Sequence, residues 1–313
     1  MIRRMRWLGT LCVILGLTEL GVRLADDPSD PDFVFDVLHA DSRVASWLNR
    51  RSGGFEGDNG WISINAQGWR GTAPFSAFRR DDVGRIAVVG TGSVFGENLS
   101  DDQTWPERLE QSIGRRTDSP VEVYNYGWPG ATVVYLDRVV LDEVLVSQPD
   151  VVVLSFGGFN EALRADMAET QTLRPDAPGL NLLRGSAIFE ALEHMSWRLA
   201  RGSAPRGHKV PLEAFSSLLA RSVSRAQDSG AQVLLVQELV IHPDIEGLWS
   251  QDDLKAYQEA VVQVALEHQV EVVDPAQIIA EADRSSLFWR DLLYGPEAAQ
   301  QVAEAVAERV DRW

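Results

Sequence analysis

Short apolar runs alternate with segments of helical periodicity along most of the chain. The runs are rich in β-branched side chains, which is typical of strands that are buried on both faces of a parallel sheet. They lie at residues 86–89, 121–125, 151–156, 232–236 and 270–273. Apolar spacing predicts helices at residues 103–114, 133–147, 212–227, 254–267 and 297–310. The pattern therefore predicts an α/β fold, a three-layer α/β/α sandwich around a five-stranded parallel sheet of the flavodoxin-like kind.

The amino terminus has a different pattern. Arg3, Arg4 and Arg6 precede an apolar stretch at residues 7–24. A positive segment followed by an apolar one predicts that residues 1–25 are an uncleaved signal anchor, with the rest of the chain outside the cytoplasm. A cleaved signal peptide and a buried amino-terminal helix remain alternatives.

The remainder of the chain divides by composition. Residues 26–60 are predicted to be a linker and a lead-in helix, and residues 61–313 a single α/β domain. Residues 168–210 form an irregular, proline-containing insertion in that domain. An insertion of this length is a candidate lid or binding loop.

Charge and cysteine content exclude several classes of partner. The formal net charge is −17, which disfavours nucleic acid as a partner of the folded part. The single cysteine, Cys12, excludes an intramolecular disulfide and a cysteine-based zinc site. The glycine-rich turn at residues 90–96 lacks the Lys-Ser/Thr of a phosphate-binding loop and the spacing of a dinucleotide fingerprint. We therefore expect no metal and no organic cofactor.

This glycine-rich turn is the first candidate for a functional site. The strand at 86–89 ends in Gly90, and Thr91, Gly92 and Ser93 follow it. A small-residue turn between a strand and a helix lies at the carboxyl edge of an α/β sheet, where such folds place their ligand crevice. The alternative is a tight turn whose glycines serve the backbone alone.

Six motifs resemble the blocks of the SGNH (GDSL) hydrolase family, in the order in which they follow one another along the chain. Besides the glycine-rich turn, they are NAQGWRG at 65–71, NLSDDQTWP at 98–106, NYGWPGAT at 125–132, PDVVVLSFGGFNE at 149–161 and DLLYGPE at 291–297. The resemblance extends over residues 62–310 and implies an SGNH-hydrolase type of sandwich. It is similar to the membrane-anchored, extracytoplasmic members, and it implies a membrane and an acylated glycan or lipid ester as partners.

The resemblance also assigns roles to individual residues. Gly130 and Asn160 match the family's oxyanion positions, and Asp291 matches the acid that orients the catalytic histidine. Gly92 occupies the position of the nucleophilic serine, and Tyr294 occupies that of the histidine. Glycine has no side chain with which to attack, and tyrosine is a poor proton acceptor near neutral pH.

These substitutions predict a catalytically impaired or inactive member that retains the oxyanion side of the pocket. Such a protein would act in the binding or assembly of acylated glycan or envelope material. The alternative is an active ester hydrolase or O-acyl transferase that uses a displaced Ser93 with His242 as its base. A third interpretation is hydrolysis by activated water, with Asp291 or Glu161 as the base. The residue types alone also allow Ser93 to be a helix cap and His242 to be an ordinary loop histidine.

Overall fold

The structure is a computed structural model that describes residues 53–57, 60–97, 99–117, 120–165, 207–239, 249–279, 288–289 and 293–310. In chain order the elements are β1 (Gly53–Gly57), β2 (Gly60–Ile64), β3 (Gly84–Gly90), α1 (Gly92–Phe95), a 3-10 turn (Asp101–Gln103), α2 (Trp105–Arg116), β4 (Val121–Gly127), α3 (Val133–Tyr135), a π-helical turn (Leu136–Val140), α4 (Leu141–Val146), β5 (Val151–Ser155), α5 (Phe159–Ala162), β6 (Arg164–Ala165), β7 (Gly207–His208), α6 (Leu212–Asp228), β8 (Gln232–Val236), α7 (Gln251–His268), β9 (Glu271–Val273), α8 (Pro275–Ile278), β10 (Phe288–Trp289), β11 (Leu293–Tyr294) and α9 (Pro296–Val310).

The five predicted strands form one parallel sheet, in the order β4-β3-β5-β8-β9. In its register, Val88 of β3 pairs with Asn125 on one side and Val153 on the other, and Val153 pairs with Leu234 of β8. The apolar side chains of the three inner strands are buried, as expected for a sheet that is covered on both faces, whereas edge strands β4 and β9 begin with half-buried or exposed residues. This confirms the predicted fold class.

Helices cover both faces of the sheet. On one face, α2 and α9 pack together over a core that includes Val88, Trp105 and Val302. The α6–α7 pair forms the other layer, where Phe215 and Tyr257 are buried in edge-to-face contact. The predicted helices are present, with their ends shifted by a few residues. The segment predicted as one helix at 133–147 contains a π-helical turn.

An antiparallel hairpin precedes the sheet and corrects one prediction. Residues 53–57 were expected to be linker, but they form β1 and pair with β2. Their glycines suggested the end of a helix, whereas cross-strand pairing extends the backbone there. Arg70, in the loop that follows β2, bridges to Ile64 and to Asn125 of edge strand β4, which docks this loop on the sheet.

The described part of the chain does not reach the predicted membrane segment. Residues 1–25, the lead-in helix and most of the candidate lid lie outside the described residues. Among the described helices, none combines the length and the apolar character that crossing a membrane requires. The signal anchor and the lid remain predictions.

Candidate functional site

The turn after β3 carries two hydroxyl side chains at the carboxyl edge of the sheet. Thr91 is the N-cap of α1, and its side chain accepts the backbone N–H of Ser93 at 3.5 Å. The cap is therefore Thr91 rather than Ser93. Thr91 and Ser93 are only 4% and 7% exposed, and their hydroxyl oxygens lie 3.2 Å apart.

Both hydroxyls meet a carboxyl group from another strand end. Glu238 lies two residues beyond β8, and its Oε1 accepts hydrogen bonds from Thr91 Oγ1 and from Ser93 Oγ, the latter at 3.0 Å. The Glu238 backbone is fixed as well, because its carbonyl accepts the Gln258 side-chain amide at 2.8 Å. Glu238 is 5% exposed. Within the described residues, the Ser93 hydroxyl thus contacts Thr91 and a glutamate.

A second buried acid completes the cluster. Glu161 of α5 is fully buried, and its carboxylate accepts the backbone N–H groups of Val133 at 3.1 Å and Gly158 at 3.2 Å. Burial raises the pKa of Glu161, and the charge of Glu238 raises it further. Burial also raises the pKa of Glu238, although the hydrogen bonds from Thr91 and Ser93 oppose this. The two acids titrate together, and the site favours a retained proton over two ionised carboxylates.

Gly158 makes room for the carboxyl group of Glu238. A Cβ atom on Gly158 would lie 1.7 Å from Glu238 Oε2 and 2.7 Å from its Cδ. A contact of that length is far inside van der Waals separation, so a side chain at 158 and the observed Glu238 conformer exclude each other. The observed position of the Glu238 carboxyl group therefore depends on glycine at residue 158.

The two oxyanion positions assigned by resemblance lie on neighbouring loops. Gly130 has φ 74° in a turn closed by the hydrogen bond from Ala131 N to Trp128 O at 3.0 Å. Asn160 Nδ2 donates to Ala131 O at 3.1 Å, which links the loop after β5 to the loop after β4. Lys209 Nζ donates to Gly130 O at 3.3 Å. The structure thus brings Gly130 and Asn160 together at the carboxyl edge.

Tyr294 stands where the family resemblance places the histidine, and it is 2% exposed. Its hydroxyl accepts the backbone N–H of Leu239 at 3.4 Å. Burial is the main cause of its raised pKa, and the charge of Glu238 adds to it. A tyrosine held in this way ionises even less at neutral pH than one in water, so it provides no phenolate to act as a base.

The remaining sequence-predicted residues are partly outside the described chain. His242 and Asp291 lie there, so their roles remain predictions. Gly92 is the first residue of α1. Among the described residues, no group of three or more histidines, cysteines and acids is arranged to hold a metal ion. The sequence reasoning missed Glu238, although a charged residue directly after a buried strand, at the crevice edge, is a usable signal.

Comparison with known proteins establishes the family. Residues 86–295 match the GDSL-like Lipase/Acylhydrolase family. The match spans more than half of the chain, and the chain therefore belongs to this family. No curated protein matches the sequence.

Solved structures share the fold at low sequence identity. LAE5, an alpha/beta hydrolase enzyme from the metagenome of Lake Arreo, Spain, is 16% identical, with 75% of this chain and 97% of that chain covered and a TM-score of 0.50. A variant of Axe2, an acetyl-xylooligosaccharide esterase from Geobacillus, is 15% identical, with 72% and 94% covered and a TM-score of 0.50. The esterase EstA from Pseudoalteromonas is 17% identical, with 74% and 98% covered and a TM-score of 0.49. The first two likenesses support the fold alone.

Proposed function

We propose that this chain is a catalytically impaired member of the GDSL family that binds acylated glycan or lipid ester at the extracytoplasmic face of a membrane. One observation carries the proposal. The Glu238 carboxyl group lies against the Ser93 hydroxyl at 3.0 Å, one residue from Gly92, the family's nucleophile position. The crevice that would hold the reacting ester therefore contains an acid of the chain itself.

The chemistry of ester cleavage disfavours this arrangement. A serine esterase needs a nucleophile, a base within hydrogen-bond reach and donors for the oxyanion that develops. Gly92 supplies no nucleophile, and Tyr294 replaces the base. Glu238 lies against the turn that would carry the nucleophile, and in its ionised form it would raise the energy of an oxyanion that develops nearby.

Binding remains chemically reasonable at the same place. The loops that carry Gly130 and Asn160 are joined by the hydrogen bond from Asn160 Nδ2 to Ala131 O. This keeps the side of the crevice that faces an acyl carbonyl in the family. Membrane attachment is supported by the sequence pattern of residues 1–25.

An activity screen tests the proposal. The purified full chain, in detergent, is incubated with a panel of p-nitrophenyl esters and with a serine-reactive fluorophosphonate probe, beside an active serine esterase. We expect neither turnover nor labelling of this chain. Labelling that disappears in Ser93→Ala would contradict the impaired state.

A binding assay tests the other half of the proposal. Immobilised acetylated polysaccharide and the same polysaccharide after chemical deacetylation are compared as ligands. Retention of the chain on the acetylated form alone is expected, and equal behaviour on both would contradict acyl recognition. A periplasmic reporter fused after residue 30 tests the predicted orientation.

A second candidate function is an active ester hydrolase or O-acyl transferase that uses Ser93. The observation that favours it is the hydrogen bond from Ser93 Oγ to a buried carboxyl group, since a carboxylate of raised pKa accepts a proton better than an ordinary one. This candidate predicts labelling that is lost in Ser93→Ala. Loss of activity in His242→Ala would identify His242 as the base, and loss in Glu238→Gln alone would identify Glu238.

A further inference from the structure

We propose that Thr91, Ser93 and Gly158 form a binding site for a carboxyl group, and that the Glu238 side chain is its resident occupant. An external carboxylic acid, or the acyl end of an ester, then binds only when Glu238 leaves. The inference rests on the proposed function, because it assigns the acyl-binding part of the same crevice.

The hydrogen-bond donors of this site are side chains that converge on one oxygen. The Thr91 and Ser93 hydroxyls both donate to Glu238 Oε1, and the two hydroxyl oxygens are themselves 3.2 Å apart. All three side chains belong to residues that are less than a tenth exposed. Two buried hydroxyls that converge on one acceptor form a receptor for a carboxyl oxygen.

The second carboxyl oxygen of Glu238, Oε2, fits because residue 158 has no side chain. Glu238 Oε2 lies where a Cβ atom of residue 158 would be, and only glycine leaves that space open. The part of Glu238 beyond its Cβ consists of a methylene carbon and a carboxyl group, which correspond to acetic acid. Glu238→Ala therefore vacates a space with the size and hydrogen-bond donors of that molecule.

The position of the site in the fold favours a ligand site over a purely structural cluster. The strand ends of β3, β5 and β8 supply Thr91, Gly158 and Glu238, and an open crevice at this edge is where α/β sheets bind ligands. Glu238 is also an unfavourable permanent occupant, since burial acts against its charged form and its charge in turn raises the pKa of Glu161. The Glu238 side chain thus competes with external carboxyl groups for the site that Thr91, Ser93 and Gly158 form.

Chemical complementation tests this inference. Acetate is titrated into the full-length Glu238→Ala variant, against chloride at equal ionic strength, by calorimetry and by thermal unfolding. We expect saturable binding and a rise in Tm, with acetate affinity at least about tenfold above that of the unmodified chain. Glu238→Gln keeps the side-chain volume, so it is expected to stay closed to acetate.

Two further variants separate a built site from a general effect. Leu234→Ala creates a cavity at a fully buried apolar position and offers no hydroxyl, so acetate should not stabilise it. Thr91→Val in the Glu238→Ala background removes one donor and should weaken acetate binding about tenfold. An equal acetate response in Leu234→Ala and Glu238→Ala would overturn the inference.

The remaining outcomes are also decisive. A folded Glu238→Ala variant that ignores acetate would overturn the inference. If this variant folds poorly, its refolding yield in acetate is compared with that in chloride: recovery in acetate alone supports the site, and no recovery overturns it. These readouts do not involve turnover. Labelling of Ser93 by fluorophosphonate would therefore contradict the proposed function and leave the carboxyl site standing.

Discussion

The Ser93 hydroxyl oxygen lies 3.0 Å from Oε1 of Glu238, although the two residues are 145 positions apart in the chain. The contact joins α1, which follows β3, to the loop after β8, across the central strand β5. It changes how the crevice is interpreted. The turn after β3 is filled by a carboxyl group of the chain itself, and the charge of this group raises the pKa of a second buried acid, Glu161.

The pH dependence of stability is the first consequence. The pKa values of Glu161 and Glu238 are raised above the ordinary 4.5 in the folded chain. The folded state therefore binds protons more tightly than the unfolded state. The resulting stabilisation is fully present below pH 4.5 and is lost as the pH rises through the raised pKa values.

Glu238→Gln tests this consequence, because it removes one acid and keeps the volume and an acceptor oxygen. Between pH 5 and pH 8 we expect the variant to gain about 1 kcal/mol or more relative to the unmodified chain, measured by urea unfolding. Glu267→Gln alters an exposed glutamate and should follow the unmodified chain. If the free energy of unfolding of Glu238→Gln and that of the unmodified chain changed with pH in the same way, the raised pKa values of Glu161 and Glu238 would be contradicted.

The close approach of Gly158 to Glu238 leads to a second prediction. Gly158→Ala places a methyl group 1.7 Å from the observed position of Oε2, so the carboxyl group must leave its hydroxyl donors. We expect a loss of about 2 kcal/mol or more in the free energy of unfolding. In a Glu238→Ala background the same change should cost at least about 1 kcal/mol less.

A matched glycine provides the control. Gly114 lies in α2 with no atom within 4 Å of an added Cβ, so Gly114→Ala should be neutral or stabilising by up to about 1 kcal/mol. Additive effects of Gly158→Ala and Glu238→Ala would show that the two residues do not compete for space.

The fold was predictable because each strand of the sheet carries a local signal. The run at 232–236, for example, is apolar, bounded by glycine and polar residues, and buried in the structure as β8. The hairpin strand β1 was missed because Gly53 and Gly54 resemble a helix end locally, and only pairing with β2 makes them a strand.

The site was predictable only in part, for a related reason. The motif around Thr91 and Ser93 is contiguous, so it can be found in the sequence. The position of Glu238 depends on the register of β8 and on the direction of its side chain, neither of which is a local property. For this reason the sequence predicts that His242, four positions beyond Glu238, is the residue that reaches the site from the loop after β8.

Tyr294 is the subject of a third prediction. Its hydroxyl accepts the buried N–H of Leu239 at 3.4 Å. Tyr294→Phe leaves that donor without this acceptor and should lower the free energy of unfolding by about 1 kcal/mol. Tyr294→His restores the residue type of the family, yet we expect no fluorophosphonate labelling, since Gly92 still lacks a hydroxyl. Strong labelling of Tyr294→His would show that Ser93 is a competent nucleophile.

The last prediction concerns Arg70, which fastens the segment that follows α1. The guanidinium donates to Gly96 O at 3.1 Å, to Leu99 O at 2.7 Å and to Asp101 Oδ1 at 3.0 Å. Burial lowers the pKa of Arg70 to about 10, against the opposing effect of Asp101. The buried cation is retained because these acceptors surround it, and Gly96 O lies directly after α1.

Arg70→Met keeps the apolar stem and removes the donors, which leaves two backbone carbonyls without these hydrogen bonds. We expect a loss of about 2–4 kcal/mol in the free energy of unfolding, measured by urea denaturation. Arg80→Ala is the control, because Arg80 is largely exposed and its contact with Glu122 is 3.5 Å long, so the loss should stay below about 0.5 kcal/mol. Equal losses for the two variants would mean that the hydrogen bonds of Arg70 do not hold the segment after α1 in place.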